Sequence, residues 1–201
     1  MRYKHMIKQV YEKPLLRSSL RLGGLLGIGA AWAIFGLVLG AGAHLGLPPG
    51  TFYEMIGVSV GVTAEWPAIY LGFGLHMLTG AIIGIMYMAI SERVGKLRNF
   101  STASWFGTGV ATGIAVWAVL FVPLHVFLVE PTLQSMLTLS DPRAERLTEM
   151  SDSILYGAIA MHFIFGSVLG FLARIVTSGR DVVKTTTTAT GGVLRHDSLS
   201  A

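Results

Sequence analysis

Four long apolar segments constrain the fold of this chain more than any other feature of its sequence. They cover residues 22–43, 67–90, 103–129 and 154–176, and none has a Lys, Arg, Asp or Glu in its central part. A helix that rises about 1.5 Å per residue needs about 20 such residues to cross the hydrocarbon core of a bilayer. The sequence therefore predicts an all-α integral membrane protein with four transmembrane helices.

The composition agrees with a membrane location. Hydrophobic residues make up 52% of the 201 residues and charged residues only 13%, whereas a soluble domain has about 25% charged residues. The first segment is longer than the apolar region of a signal peptide, so we expect it to remain in the mature protein. The chain has no cysteine, which excludes disulfides, thiolate metal sites and a cysteine nucleophile.

The distribution of basic residues indicates an orientation. Six Lys and Arg residues precede the first segment, three lie between the second and third, and four lie at or after the end of the fourth; the other two connections contain only Arg143 and Arg146. The positive-inside rule then predicts that both termini are cytoplasmic, in a plasma or inner membrane. The net charge of +4 is interpreted as a topology signal that also favours anionic lipid, and no nucleic-acid partner is expected.

The segments between and around the apolar runs divide the chain into five predicted parts. These are a basic, amphipathic cytoplasmic leader (1–21), a first hairpin with an interfacial connection (22–92), a cytoplasmic loop (93–102), a second hairpin with an amphipathic connection (103–177) and a disordered cytoplasmic tail (178–201). Because proline cannot donate a backbone hydrogen bond, Pro14 is expected to end the leader helix and Pro123 to kink the third transmembrane helix.

The second and fourth apolar segments resemble each other at a shift of 86 residues. IYLGFGLHMLTGAIIG aligns with LYGAIAMHFIFGSVLG, which pairs His76 with His162. At a shift of 85 residues AAWAI aligns with AVWAV, which pairs Trp32 with Trp117. Each unit crosses the membrane twice and so keeps its orientation. The sequence therefore predicts two tandem duplicated hairpins, related as parallel repeats about an axis along the membrane normal.

Small residues recur at every fourth position on either side of both histidines, which places them on one face of each helix. Small residues let membrane helices approach closely. The second and fourth helices are therefore predicted to pack at the centre of the bundle, and the same stripes offer a surface for self-association or for other membrane subunits. The predicted helix-packing residues are Gly72, Gly80, Gly84, Gly109, Gly113, Gly166 and Gly170.

The two histidines inside apolar segments leave three interpretations open. As neutral imidazoles they would form hydrogen bonds between helices, each worth about 0.6 to 2 kcal/mol. As two axial ligands, His76 and His162 would bind haem b between facing helices. Together with His44, His125 and nearby methionines they would form a copper site.

The stretch HMLTGAIIGIMY, with His76, Gly80, Gly84 and Tyr87, resembles the small multi-pass membrane proteins of the YagU type. The resemblance covers about one helix, and the second copy of the repeat lacks the tyrosine. It implies a small helical integral membrane protein and does not imply a particular activity.

The sequence has none of the motifs of soluble enzymes, such as a P-loop, GxSxG or HExxH. It therefore predicts a protein without catalysis of its own, acting as an accessory or assembly subunit of a larger membrane complex. One alternative is a haem- or copper-binding redox subunit of a membrane oxidoreductase or monooxygenase-type assembly. The other is a small transporter or channel subunit that conducts along the histidines.

Overall fold

The computed structural model describes residues 2–93 and 101–196, with side chains for residues 18–93 and 101–178. Every regular element in these ranges is a helix, which confirms the all-α prediction. The α-helices are α1 (Arg2–His44), α2 (Thr51–Ser59), α3 (Glu65–Arg93), α4 (Thr102–Val116), α5 (Val122–Leu124), α6 (Glu130–Thr138) and α7 (Ala144–His196). Two π-helical turns, Trp117–Phe121 and His125–Val129, flank α5.

Four helical stretches are long and apolar enough to cross a membrane, which confirms the predicted number. They are Ser18–His44, Glu65–Arg93, Thr102–Thr138 and Ala144–Ser178, called spans 1 to 4 below. Each is longer than its predicted apolar segment, because helical hydrogen bonding continues into the polar residues at its ends.

Span 1 packs against span 2 through glycine, where the backbones of α1 and α3 come into contact. A Cβ atom on Gly80 would lie 2.8 Å from the Cβ of Ala31 and 2.9 Å from the carbonyl oxygen of Gly27. Gly84 faces Gly27 in the same way, at 2.7 Å from a Cβ on Gly84 to the Cα of Gly27. Since any side chain at these positions would overlap backbone, glycine is required for this approach.

The same type of contact joins span 3 to span 4. A Cβ on Gly109 would lie 2.8 Å from the Cα of Gly170, and one on Gly166 would lie 3.0 Å from the backbone nitrogen of Gly113. The glycines therefore face the other helix of their own hairpin. The prediction that spans 2 and 4 pack on each other through these stripes was wrong, because spans 1 and 3 supply the matching small residues.

Gly72, the remaining predicted packing residue, contacts a different element. A Cβ on Gly72 would lie 3.1 Å from the backbone nitrogen of Gly57 in α2 and would overlap the carbonyl group of Tyr53. All seven predicted glycines are thus occupied by contacts within the chain, so they do not form the free surface for self-association that the sequence suggested.

The two hairpins meet where α1 packs against α7. The core between them consists of side chains that are at most 9% exposed: Leu26, Ala30, Ala31, Ile34, Ile83, Tyr87, Met88, Trp105, Phe165, Leu169 and Ala173. Part of this core, including Tyr87, Met88 and Trp105, lies away from α2, whereas Ala31, Ile34, Ile83 and Phe165 reach the wall of the large cavity described below.

A tyrosine links span 2 to span 3 in this core. The hydroxyl of Tyr87 lies 2.9 Å from Oγ1 of Thr108 and donates to the carbonyl oxygen of Trp105 at 3.2 Å. We expect Tyr87→Phe to lower the free energy of unfolding by about 1 kcal/mol, because it removes one buried hydrogen-bonded hydroxyl. Thermal unfolding in detergent measures the effect. Tyr70→Phe, at a side chain that is 69% exposed, is the control, and an equal loss in both variants would contradict the role of this link.

The helix ends differ from the predicted boundaries. α1 runs through Pro14 without a break, since proline removes only one hydrogen bond of the helix and the flanking bonds continue. α7 begins at Ala144 and continues to His196, where a disordered tail was predicted; no proline follows Pro142 to interrupt it. Residues 94–100 of the predicted loop, residues 197–201 of the tail and the side chains of the leader up to residue 17 lie outside the described residues.

Candidate functional site

Two adjacent cavities lie between the hairpins, at the end of the bundle that α2 covers. The large cavity has a volume of about 260 Å³ and is lined by α2 and by all four spans. The small cavity has a volume of about 110 Å³ and lies between the end of α1, the start of α2 and α7. The residues that line both are Ile34, Phe52, His76, Ile154 and His162.

The structure brings the two predicted histidines to this shared wall. Nδ1 of His162 donates a hydrogen bond to the carbonyl oxygen of Ala158 at 2.8 Å, which leaves Nε2 as the nitrogen that can accept. Nε2 of His76 is buried and has no hydrogen-bond partner within the described part of the chain. Because buried polar atoms are nearly always paired, the unpaired nitrogen of His76 indicates a place for a ligand or a water molecule.

A third histidine enters the large cavity from the irregular part of span 3. Pro123 lies between the two π-helical turns, and these turns place Phe121 and His125 on the cavity wall. His125 is 1% exposed; its Nε2 lies 3.0 Å from Oγ of Ser151, and its Nδ1 is buried with no partner in the described ranges. π-Helical turns inside α-helices occur often at functional sites. The sequence located an irregularity at Pro123 but did not predict its form.

His44, the fourth histidine of the predicted copper site, lies apart from the other three. It ends α1, is exposed and lines neither cavity. Among the described residues no three side chains of His, Cys, Asp or Glu are grouped closely enough to hold a metal ion. The structure therefore does not assemble the four-histidine ligand set.

A cluster of charges, called the clamp below, holds α2 over the cavities. The carboxylate of Glu54, which is 1% exposed, accepts hydrogen bonds from Arg143 at 3.1 Å and from Arg146 at 3.3 Å. Arg143 also donates to Asp141 at 2.8 Å and to the carbonyl oxygen of Thr63. The clamp ties the connection of the first hairpin to that of the second. It thereby fixes the α2 side chains that line the cavities.

The charges of the clamp shift one another's pKa values. Burial raises the pKa of Glu54, and the positive charges of Arg146 and Arg143 partly oppose that shift. Hydrogen bonds from Arg143 lower the pKa of Asp141, and the same contact raises the pKa of Arg143. The Asp141 carboxylate is thus stabilised in its charged form, as expected for a carboxyl group beside a guanidinium.

The lowered pKa of Asp141 gives a pH dependence of stability with a defined sign. The folded-state pKa lies below the unfolded value of 3.8, so the stabilisation by Asp141 is present above that value and is lost as the pH falls through the folded pKa. We expect the melting temperature of the wild type to exceed that of Asp141→Asn at neutral pH and the difference to shrink in acid. Thermal unfolding from pH 7 to about pH 2 measures it, because the loss begins near 3.8 and continues below it. A constant difference over this range would contradict the assignment.

Tyr53, adjacent to Glu54 in α2, is a site residue that the sequence analysis missed. Its side chain is 1% exposed, lines the small cavity and has a buried hydroxyl without a partner in the described residues. Burial raises its pKa to about 12, so the hydroxyl keeps its proton at neutral pH. The ring centroids of Tyr53 and His76 are 5.6 Å apart. The one sequence signal for this residue was its position in an apolar connection between two spans.

Comparison of the chain with family models, characterised proteins and solved structures finds no match. The resemblance to YagU-type proteins stays a prediction. The function must therefore be inferred from the cavities, the histidines and the clamp.

Proposed function

We propose that this chain is a multi-pass integral membrane protein that binds a small molecule in the histidine-lined cavities and carries out no catalysis of its own. The observation that carries the proposal is the pair of buried, unpartnered nitrogens, Nε2 of His76 and Nδ1 of His125, on the wall of one cavity. Leaving a buried polar atom unpaired costs about 1–3 kcal/mol. A bound molecule that hydrogen-bonds to these nitrogens would remove that cost.

Binding fits the cavities better than conduction does. At the end distant from α2 the space between the spans is filled by core side chains, including Tyr87, Met88 and Trp105, each at most 5% exposed. A path through the bundle would have to displace this core. Of the described residues, no Asp or Glu lines either cavity. His125 has a carboxylate neighbour, since its Nε2 lies 3.7 Å from Oε1 of Glu130, but that carboxylate lies outside the cavity lining, so a relay would have to leave the cavity there.

The duplicated hairpin is part of this proposal. Gly84 faces Gly27 and Gly170 faces Gly109, so each hairpin uses the same type of contact. The shift is 86 residues between Gly84 and Gly170 but 82 between Gly27 and Gly109. Equivalent contacts therefore support two parallel repeats, with the first helices aligned nearly one turn away from the 85-residue shift that the tryptophans suggested. We place both termini in the cytoplasm of a plasma or inner membrane on the charge distribution alone.

The biological setting that we propose is an accessory or assembly subunit of a larger membrane complex. In this role the site holds a ligand for a partner, and the clamp fixes α2, which supplies part of the cavity wall. Native mass spectrometry after gentle solubilisation tests both parts. We expect the wild-type chain to retain a bound small molecule, seen as added mass, and to be detected in complexes with other membrane proteins. A lone monomer without bound mass would contradict the proposal.

A redox subunit is the second candidate, favoured by one observation. The hydrogen bond from Nδ1 of His162 to Ala158 is the type of contact that orients a histidine whose Nε2 binds a metal. A haem macrocycle is larger than the large cavity, at about 260 Å³, so haem would require the helices to separate. An absorption spectrum and metal analysis test this candidate. A Soret band or bound copper that is lost in His76→Ala and His162→Ala would establish it over the first.

A further inference from the structure

We propose that the bound molecule is a neutral, membrane-soluble ring compound with carbonyl oxygens, of the quinone class, and that Tyr53 and His76 hydrogen-bond to it. This inference rests on the proposed function and names the ligand class of the same site. Its ring would lie in the small cavity, with an apolar tail extending into the large cavity. The hydrogen-bond donors, the charge of the lining and the shape of the walls each favour this ligand class.

The site contains two buried hydrogen-bond donors. The hydroxyl of Tyr53 and Nε2 of His76 are both buried and unpartnered in the part of the chain that the structure describes. Both residues line the small cavity, and their ring centroids lie 5.6 Å apart, so one small molecule can contact both. The Tyr53 hydroxyl is protonated at neutral pH, and the imidazole nitrogen donates in the tautomer that carries its proton there. Two donors in one apolar site favour a ligand that offers acceptors.

The absence of charged residues from the described cavity lining favours a neutral ligand over a charged one. Of the described residues, no Lys, Arg, Asp or Glu lines either cavity. A carboxylate or phosphate ligand would be buried there without a compensating cation, which is costly. A carbonyl oxygen is a strong neutral acceptor and satisfies both donors without that cost.

The walls suit a flat ring. The ring of Phe52 lies 5.9 Å from His76 and nearly perpendicular to it, at 88°. The ring of Tyr53 lies 5.2 Å from Phe52, also nearly edge-to-face, at 76°. Aromatic side chains prefer stacked or edge-to-face contact with a planar ring. The remaining wall is mainly aliphatic, which fits an apolar tail.

Binding of decylubiquinone to the full chain in detergent micelles tests the inference. Protein is equilibrated with the quinone and passed through size exclusion, and the retained quinone is measured by its absorbance. We expect saturable binding by the wild type, and weakening of about tenfold, or about 1.4 kcal/mol, in Tyr53→Phe and in His76→Leu. His76→Gln, which keeps an N–H donor, should recover part of the affinity. Tyr70→Phe removes a hydroxyl from an exposed position of span 2 and should bind as the wild type does.

Decylbenzene, which has a ring and tail but no carbonyl oxygen, is the matched probe, and thermal unfolding confirms that each variant is folded. Decylbenzene binding as tight as the quinone, or unchanged quinone binding by folded Tyr53→Phe and His76→Leu, overturns the inference while retained small-molecule mass still supports the proposed function. In that case the buried donors are paired with water. If neither probe binds and native mass spectrometry finds no bound mass, both the inference and the proposed function fail.

Discussion

Gly109→Leu is expected to lower the free energy of unfolding by about 3 kcal/mol, at the upper end of the usual cost of overpacking. A Cβ at this position would lie 2.8 Å from the Cα of Gly170. The obstacle is backbone, which cannot rotate away as a side chain does. Spans 3 and 4 would have to separate, and the cavity wall that carries His162 would move with them. Thermal unfolding in detergent and the elution volume on size exclusion measure the effect.

Gly107→Leu is the matched control for this experiment. Gly107 lies on the same helix, two residues away; it is exposed, and a Cβ built on it would meet no atom of another helix within 4 Å. The two variants therefore have the same change in composition and helix propensity but differ in contact. Equal melting temperatures for Gly109→Leu and Gly107→Leu would show that spans 3 and 4 do not pack through glycine.

The second large effect is expected for Arg143→Ala. Breaking a buried ion pair by removing one partner costs about 3–5 kcal/mol, because the other charge stays buried. Arg143 contacts the Glu54 carboxylate at 3.1 Å, and that carboxylate is almost fully buried. The variant should melt at a lower temperature. Because α2 loses its strongest charged contact with the second hairpin and keeps only the longer one to Arg146 and the apolar one of Met55 and Val58, the variant should also lose affinity for any ligand of the small cavity.

Two neighbouring substitutions serve as controls for Arg143→Ala. Arg146→Ala removes a longer contact to Glu54, at 3.3 Å, from a side chain that is 36% exposed, so its effect should be clearly smaller. Glu145→Ala changes an exposed residue of the same helix and should have little effect. If all three variants lose the same stability, the clamp does not act as a buried ion pair.

Some residues of the candidate site could be predicted from sequence and others could not. His76 and His162 could be found because each stands alone in an apolar segment and the two segments align. His125 was a candidate through its position beside Pro123. Tyr53 and Glu54 could not be found, because neither residue type is unusual in a connection. The importance of Tyr53 comes from its burial beside His76, and that of Glu54 comes from its burial and from partners about 90 residues away in the chain.

The sequence by itself determined the helical class, the number of candidate spans and the presence of glycine faces, because these depend on runs and periodicities within about 20 residues. It did not determine which helix each glycine face contacts. A glycine face on one helix can pack against a glycine face on any other helix. Which two helices come together was therefore decided by the packing of the whole helices. Tertiary structure alone assembled the clamp and the cavities, since each combines residues from both hairpins. The paired histidines are a sequence property, and the space between them is a property of the fold.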